Sequence, residues 1–448
     1  MKLIYNVQDK PKFGQLIIFA IQQLLAIMAA TLVVPVIVGN GMSPAAALFG
    51  AGVGTLVYLL FTKFRSPVFL GSSFAFLGSM AAAFAGAATV GLGYVGLILG
   101  AILAGLVYVV IAILVKFAGV GWLNKLMPPV VIGPTVAIIG LSLAGNAVGD
   151  LQAPEAGLGG NVFVCILIGL VTLAVTMVCA TYGKKMARLI PFVLGILAGY
   201  AVAAICTVIG NAAGIDALKV IDFSYFSALV ENGVGLKTFL DLPDFTFVTA
   251  FGAIGELNGA YIGTIAAAYV PVAFVVFAEH VADHKNISSI IEKDLLEDPG
   301  LHRTLLGDGI GSMAGAFFGG CPNTTYGESV GCVAITGNAS VVTIIAAAVG
   351  AMAISFITPF VAFVDSIPPC VMGGVCMALY GFIAVSGLKM VQKVNLEQNK
   401  NLFVVSVILI AGIGGLALNF GSVTITSIAT ALILGILTNV LLNKAKDE

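Results

Sequence analysis

Long apolar segments recur along the whole chain and restrict it to one kind of environment. Runs of about 20 residues, the length that crosses a bilayer core, follow one another from Gln15 to Asn443 with short polar breaks. Of the 448 residues, 60% are hydrophobic and only 9% are charged, whereas a soluble domain carries roughly 25% charged residues. The sequence therefore predicts an all-α polytopic protein with the lipid bilayer as its solvent.

The apolar segments form two sets of seven. The first set lies near residues 15–38, 44–62, 69–85, 92–115, 127–147, 162–182 and 189–210. The second set lies near residues 262–282, 303–320, 322–337, 341–363, 369–387, 402–418 and 421–442. We therefore predict about 14 transmembrane helices, with the long polar connection 210–261 between the two halves.

The positive charges predict an orientation. If the spans alternate, all of the 20 Lys and Arg residues except Lys219 and Lys237 fall on the side of the amino terminus. Cytoplasmic loops carry such an excess, so we expect both termini in the cytoplasm. The polar segment 1–12 continues into a full-length span without a small-residue cleavage site, so it is not interpreted as a signal peptide.

Composition excludes several other classes of function. The net charge is −1, and no basic cluster indicates nucleic acid as a partner. The seven Cys residues lie almost entirely within apolar segments without metal-ligand spacing, so they are interpreted as small buried side chains. No cofactor is predicted, and an enzyme is disfavoured because no nucleophile and base stand at a plausible spacing.

Two equivalent spans carry the same helix-breaking pattern. An odd number of spans in each half requires opposite insertion of the halves, which is the inverted repeat of many secondary transporters. The third span opens with Ser66 and Pro67 and continues to Ser72 and Ser73, and the tenth opens with CPNTTYGE at residues 321–328. Because Pro lacks an N–H donor, we expect each span to start extended and then become a half-helix. Two short antiparallel strands facing each other would satisfy the extended backbones, with a polar site between them.

Three ionisable residues lie where insertion into lipid is costly. Glu279 follows a long apolar run, Asp283 stands one helical turn later on the same face, and Glu328 lies in the interrupted tenth span. Each costs roughly 2.5 to 3.5 kcal/mol inside a span, so each is a candidate for function.

Simpler interpretations exist for the same residues. In the first of these, the eighth helix leaves the membrane at Glu279 and Asp283, with Lys285 already in water. His280 and His284 are interpreted as structural or interfacial. Glu328 can stabilise the amino terminus of a half-helix through the peptide dipole, which is compatible with a binding role.

Six motifs together indicate a family. They are QQLLA at 22–26, GSSFAF at 71–76, AEHV at 278–281, KDLL at 293–296, DPGL at 298–301 and PNTTYGE at 322–328. With these motifs the chain resembles, essentially end to end, the nucleobase/ascorbate transporter family, and within it the bacterial uracil permeases. Purine-transporting members usually carry an amide where Glu328 stands, so the resemblance favours uracil.

The resemblance implies a domain organisation. A core domain would comprise residues 1–122 (spans one to four) and 241–366 (spans eight to eleven). A gate domain would comprise residues 123–240 (spans five to seven) and 367–448 (spans twelve to fourteen). The family also implies the bacterial cytoplasmic membrane and a homodimer through the gate domain.

The resemblance implies the following site. The carboxylates of Glu279 and Glu328 would hydrogen-bond the pyrimidine, the backbone of Phe74 and Gly327 would add contacts, Tyr326 would shape the pocket, and Ala30 would lie against the ring. Uracil offers two ring N–H donors and two carbonyl acceptors, which suit carboxylates and backbone amides.

Proton symport is the predicted energy source, and sodium is not excluded. We interpret Glu279 and Asp283 as a coupled acidic pair that carries one proton inward with each uracil. The best-known uracil permease has His four residues after its first glutamate, where this chain has Asp283. His284, one residue further, is therefore a second candidate for proton coupling.

Two other transport functions remain open. A purine or xanthine permease of the same family would share most of the motifs. An anion exchanger or channel would share the fold, but it needs two bare helix amino termini at the site, and Glu328 would place negative charge at one of them.

Overall fold

The computed structural model describes residues 3–119, 121–122, 127–184, 186–231, 233–420 and 423–442. Within them we label the helices that match the predicted spans. They are α1 (Phe13–Val38), α2 (Pro44–Phe61), α3 (Leu77–Ala85), α4 (Val90–Ala118), α5 (Pro129–Gln152, interrupted at Leu143), α6 (Val162–Tyr182), α7 (Pro191–Ala213), α8 (Gly259–Ile291), α9 (Leu301–Gly319), α10 (Gly327–Thr336), α11 (Val341–Ile354), α12 (Pro369–Val391), α13 (Asn399–Ile413) and α14 (Ser427–Leu442). The predicted all-α membrane fold is confirmed.

Eight of these helices in the described residues are long and apolar enough to cross a membrane, and α3, α11, α13 and α14 are shorter apolar helices. The eleventh span, predicted at 341–363, is wrong in its extent, because α11 ends at Ile354 and a separate helix, Thr358–Asp365, follows. The fourteenth span was predicted from residue 421, but α14 begins at Ser427.

The third and tenth spans meet through the predicted strand pair. Strand β1 (Leu70–Ser72) pairs antiparallel with β2 (Asn323–Thr325), with Gly71 opposite Thr324. The backbone N–H of Ser73 also donates to the carbonyl of Pro322 at 2.9 Å. A short 3-10 helix leads from β1 into α3, and β2 leads into α10. Both half-helices therefore begin beside the strand pair.

Small residues bring equivalent helices of the two halves into backbone contact. Helix α2 packs on α9, and a Cβ atom at Gly50 would lie 2.3 Å from the carbonyl oxygen of Gly315. Such close approach is typical of helix association in lipid. The side-chain amide of Asn323, in β2, donates to the carbonyl of Gly50 at 3.1 Å. The α2 and α9 contact thus fixes the position of β2.

The two ends of the bundle are defined by their loop contacts. At the amino-terminal face, Arg65 pairs with Asp298, and Ser340 donates to the carbonyl of Asp9 at 2.6 Å. At the opposite end, which we call the far face, Thr89 donates to Glu256 at 2.6 Å. The orientation stays a prediction, and Lys2, Lys125, Lys185, Lys444 and Lys446, which contributed to it, lie outside the described residues.

Helix packing divides the described bundle into two groups. Helices α1, α2, α4, α8, α9 and α11 pack on one another, as do α5, α6, α7, α12, α13 and α14. The predicted core and gate boundaries stay predictions, and residues 123–126, next to the first boundary, lie outside the described residues.

Candidate functional site

A cavity of about 480 Å³ lies where the two half-helices begin. One wall comes from α1, α8, α10 and the residues that lead into α3, and the other comes from α5, α7 and α12. Toward the amino-terminal end of the bundle it is lined by side chains that are exposed, among them Asn286 and Ser386. The cavity is therefore open on that side.

Three carboxyl groups line this cavity. Glu279 and Asp283 stand one turn apart on α8, and Glu328 lies in the first turn of α10. All three are neither fully buried nor fully exposed. Of the residues predicted for the site, Phe74, Tyr326 and Gly327 line the same cavity. The fold thus brings together residues from the third, eighth and tenth spans.

The strand pair orders the acidic side of the cavity. The hydroxyl of Thr325, the last residue of β2, donates to Oδ2 of Asp283 at 3.0 Å. One strand position therefore orients a carboxylate of α8. A hydrogen bond to a charged group typically contributes about 1.5 to 3 kcal/mol, so this contact strongly favours one orientation of the Asp283 side chain.

Tyr326 is fixed against β1. Its hydroxyl donates to the carbonyl of Ser72 at 2.7 Å, and its backbone N–H donates to Phe69 at 3.2 Å. A Cβ atom at Gly71 would lie 2.4 Å from ring atoms Cε2 and Cζ of Tyr326. Only glycine at this position leaves the ring in its place. The ring then forms a rigid boundary of the cavity.

Helix α10 is also tied to α1 near its start. The hydroxyl of Ser329 accepts a hydrogen bond from the side-chain amide of Gln23 and another from the backbone N–H of Phe69 at 3.0 Å. The first N–H groups of a helix have no partner within it and point toward its amino terminus. The starts of α10, at Gly327, and of the segment at Phe74 therefore present backbone donors to the cavity.

Two predicted site residues do not line the cavity. Ala30 is fully buried in α1, in the same apolar cluster as Tyr326, while Ala26, one turn earlier, does line the cavity. His284 is also fully buried, and its Nε2 lies 2.6 Å from the hydroxyl of Tyr58 on α2. The roles predicted for Ala30 and His284 stay predictions.

A buried pair beside the site was missed from the sequence. His280 Nδ1 lies 2.6 Å from Oδ2 of Asp308 on α9, and both side chains are fully buried. The hydroxyl of Thr304 donates to the carbonyl of Leu301 at 3.1 Å, so it accepts from Nε2–H of His280 at 2.9 Å. Of the two interpretations of His280 and His284, full burial supports the structural one and contradicts the interfacial one. Asp308 lies inside the predicted ninth span, where its charge alone could have singled it out.

The fold and the cavity together define a class of protein. Two interrupted helices of an inverted repeat, meeting at a polar cavity within the bundle, are typical of secondary transporters. The chain matches the model described as "Permease family" over residues 14–420, and it belongs to that family. It is therefore an integral membrane transporter and not an enzyme.

Relatives of known name extend over nearly the whole chain. The "Uracil permease" of Bacillus caldolyticus is 40% identical over 98% of this chain and 95% of its own length. That of Bacillus subtilis (strain 168) is 38% identical over 100% and 97%, and that of Escherichia coli (strain K12) is 36% identical over 96% and 92%. The resemblance inferred from the sequence motifs is confirmed.

Solved structures of low sequence identity share the fold. The transmembrane domain of the cyanobacterial bicarbonate transporter BicA aligns with a TM-score of 0.63 at 15% identity, covering 97% of this chain and 100% of that domain. The murine Slc26a9 anion transporter in its inward-facing state aligns with a TM-score of 0.64 at 12% identity, covering 97% and 69%. These alignments confirm the predicted 7+7 architecture.

Proposed function

We propose that the protein imports uracil across the bacterial cytoplasmic membrane together with a proton. The single observation that carries this proposal is that Glu279, Asp283 and Glu328 line one cavity at the starts of two half-helices. Relatives named uracil permease, at 36% to 40% identity, support the choice of substrate. The cavity volume of about 480 Å³ lies within the usual range for small-molecule sites.

The chemistry of the cavity suits a planar ring with donors and acceptors on its edges. The carboxylates of Glu279 and Glu328 accept from the two ring N–H groups of uracil, while backbone N–H groups at Phe74 and Gly327 donate to its carbonyls. Tyr326 bounds the ring on one side. Ala30 acts indirectly in this proposal, by supporting the wall behind the cavity.

The site rejects other ligands when they leave its polar groups without hydrogen-bond partners. An analogue that leaves one buried partner without a hydrogen bond loses about 1 to 3 kcal/mol. For an anion, three carboxyl groups around one cavity are unfavourable, and Glu328 offsets the positive end of the α10 dipole. The likeness to bicarbonate and anion transporters supports a common fold and no common substrate.

The proton is assigned to the acidic pair Glu279 and Asp283. Carboxyl groups one helical turn apart titrate as a coupled pair. One proton on the pair therefore reduces the charge that the loaded carrier must move. The hydroxyl of Thr325 holds Asp283 beside the cavity. His284 is a second candidate, which would act through its contact with Tyr58. Sodium is the alternative coupling ion.

Movement of the core domain against the gate domain would expose the cavity to each side in turn. With both termini in the cytoplasm, the amino-terminal face is the inner face, and the open cavity corresponds to an inward-facing state. A homodimer through the gate domain belongs to the same proposal, and the mass of the purified protein in detergent tests it.

Uptake into proteoliposomes tests this function. We expect radiolabelled uracil to accumulate when an inward proton gradient is imposed, and the accumulation to vanish when the gradient is collapsed. Accumulation that requires a sodium gradient would show that sodium, and not the proton, is the coupling ion. Competition by excess xanthine would indicate a purine permease. Absence of uracil binding to the purified protein would refute the substrate assignment.

A further inference from the structure

A second cavity lies on the far side of the same helices. It has a volume of about 550 Å³ and is lined by Leu32, Val33 and Val36 of α1, by Ile196 of α7 and by Met372 of α12. Its outer wall is the segment 241–244 of the long loop between α7 and α8. Like the first cavity, it therefore lies between α1 on one side and α7 and α12 on the other.

The loop that forms the outer wall is fixed to the bundle. The backbone N–H of Asp241 donates to the carbonyl of Phe356 at 3.1 Å, and the hydroxyl of Thr358 donates to the carbonyl of Lys237 at 3.0 Å. An isolated bridge also joins Leu240 to Ile357. The second cavity is thus a bounded space and not a gap beneath a detached loop.

The two cavities come closest to each other along α1 and α7. On α1, Ala26 lines the first cavity and Ala29 lines the second; on α7, Val193 lines the first and Ile196 the second. Three residues of helix correspond to about 4.5 Å. Ala29 and Ile196 are buried in the same apolar cluster, at 2% and 8% exposure. A small separation of α1 from α7 would therefore join the cavities.

The second cavity is acidic. Asp241 and Asp244 line it from the loop, and Asp365 lines it from the helix Thr358–Asp365. Burial, and then the negative charge of Asp244, raise the pKa of Asp365 to about 6, so this carboxyl is ionised at neutral pH. Tyr225 adds a hydroxyl from the loop side. Among the described residues that line the cavity there is no Lys, Arg or His.

We propose that this second cavity is the outer vestibule of the transport path, that its carboxylates admit neutral and cationic solutes while repelling anions, and that Ala29 and Ile196 form the barrier closed in this state. The proposal rests on the proposed function and its orientation. A cleft lined by one sign of charge changes the local concentration of charged solutes by about tenfold or more. The vestibule thus lowers the concentration of anions ahead of the substrate cavity.

Thiol chemistry at one lining position tests the vestibule. Val36 is 39% exposed and lines the second cavity, so V36C should fold and present a thiol there. Cells expressing V36C are treated from outside with membrane-impermeant thiosulfonates that carry either a trimethylammonium or a sulfonate group. V234C is the matched control, because Val234 is 74% exposed in the long loop and does not line the cavity.

We expect either reagent, once fully reacted with V36C, to abolish uracil uptake while the purified modified protein still binds uracil. The cationic reagent should react about tenfold faster than the anionic one, and D241N, D244N and D365N combined should bring the two rates together. Modification of V234C, and treatment of the parent chain, should leave uptake unchanged.

Two results would overturn the vestibule. Full modification of V36C without loss of uptake would show that the cavity is not on the path, and equal rates for the two reagents would remove its charge selection. Failure of the unmodified parent chain to bind or transport uracil would refute only the proposed function, because the ratio of reaction rates at V36C would still decide the vestibule.

Discussion

A substitution at Gly71 should displace the Tyr326 ring by a distance that the structure allows us to calculate. In G71A the new methyl group would lie 2.4 Å from ring atoms Cε2 and Cζ and 2.9 Å from Oγ1 of Thr31, whereas ordinary contact begins at 3.4 Å. The ring must therefore move by 3.4 − 2.4, about 1.0 Å. Such a movement disrupts the hydrogen bond from Tyr326 to Ser72.

The expected cost of G71A appears in both affinity and stability. Misplacing a site by about 1 Å can cost about 100-fold, which is about 2.7 kcal/mol. Overpacking costs a similar 1 to 3 kcal/mol. We therefore expect the dissociation constant for uracil, measured by calorimetry on purified protein, to rise by about 100-fold, with a modest fall in the melting temperature.

A control and a double variant make the G71A prediction specific. G78A places its methyl group 3.9 Å from the nearest side-chain atom, so it should bind uracil normally. In a Y326A background the clash with the ring is absent and only the contact with Oγ1 of Thr31 at 2.9 Å remains, so G71A should then lower affinity far less than it does in the parent chain. Unchanged affinity in G71A alone, with Tyr326 present, would refute the reasoning.

Two further substitutions test neighbouring contacts. T325V removes the hydroxyl that donates to Asp283. Loss of this hydrogen bond, about 1.5 to 3 kcal/mol, should weaken proton-driven uracil uptake about tenfold or more, and T325S should restore it. Equal uptake by T325V and T325S would contradict this role. G315A would place a methyl group 2.1 Å from the side-chain nitrogen of Asn323 and break the hydrogen bond from Asn323 to the carbonyl of Gly50. The melting temperature in detergent should therefore fall clearly. An unchanged melting temperature would show that α2 and α9 can separate without cost.

The interrupted spans were predictable because their chemistry is local. Pro67 and Pro322 remove backbone donors, and the hydroxyl residues beside them compete for the remaining bonds. Strands β1 and β2 follow from this pattern. Their register was not predictable, because it depends on contacts such as that of Asn323 with Gly50, which lie far apart in sequence.

The antiparallel strand pair before α14 was missed. Strands β3 (Leu418–Phe420) and β4 (Val423–Ile425) lie where the ends of two spans were predicted, and each has only three residues, too few for a period to separate strand from helix. Asp308 shows a different limit. Its place inside a span was visible, but its pairing with His280 requires that α8 and α9 present these two residues to each other.

Within the site, the two half-helix starts are equivalent in fold but not in charge. The first turn of α10 carries Glu328, whereas the 3-10 turn that leads into α3, Phe74–Phe76, carries no acidic residue. An anion would be favoured at two bare starts. At a start with a carboxylate, a ligand that donates N–H groups is favoured instead. In the proposed function, Glu328 therefore adds to the effect of Glu279 and Asp283 in disfavouring an anion at this site.

This asymmetry makes E328Q a decisive substitution for the proposed substrate. The glutamine carbonyl can still accept from a ring N–H, but the charge-assisted part of the bond is lost and the new amide N–H groups face the ring. Losing about 1.5 to 3 kcal/mol corresponds to an affinity for uracil lower by about tenfold to 100-fold. E397Q, at an exposed position outside the cavity, is the matched control. If E328Q bound uracil as tightly as the parent chain, Glu328 would not contact the ring, and its place would be that of a helix cap.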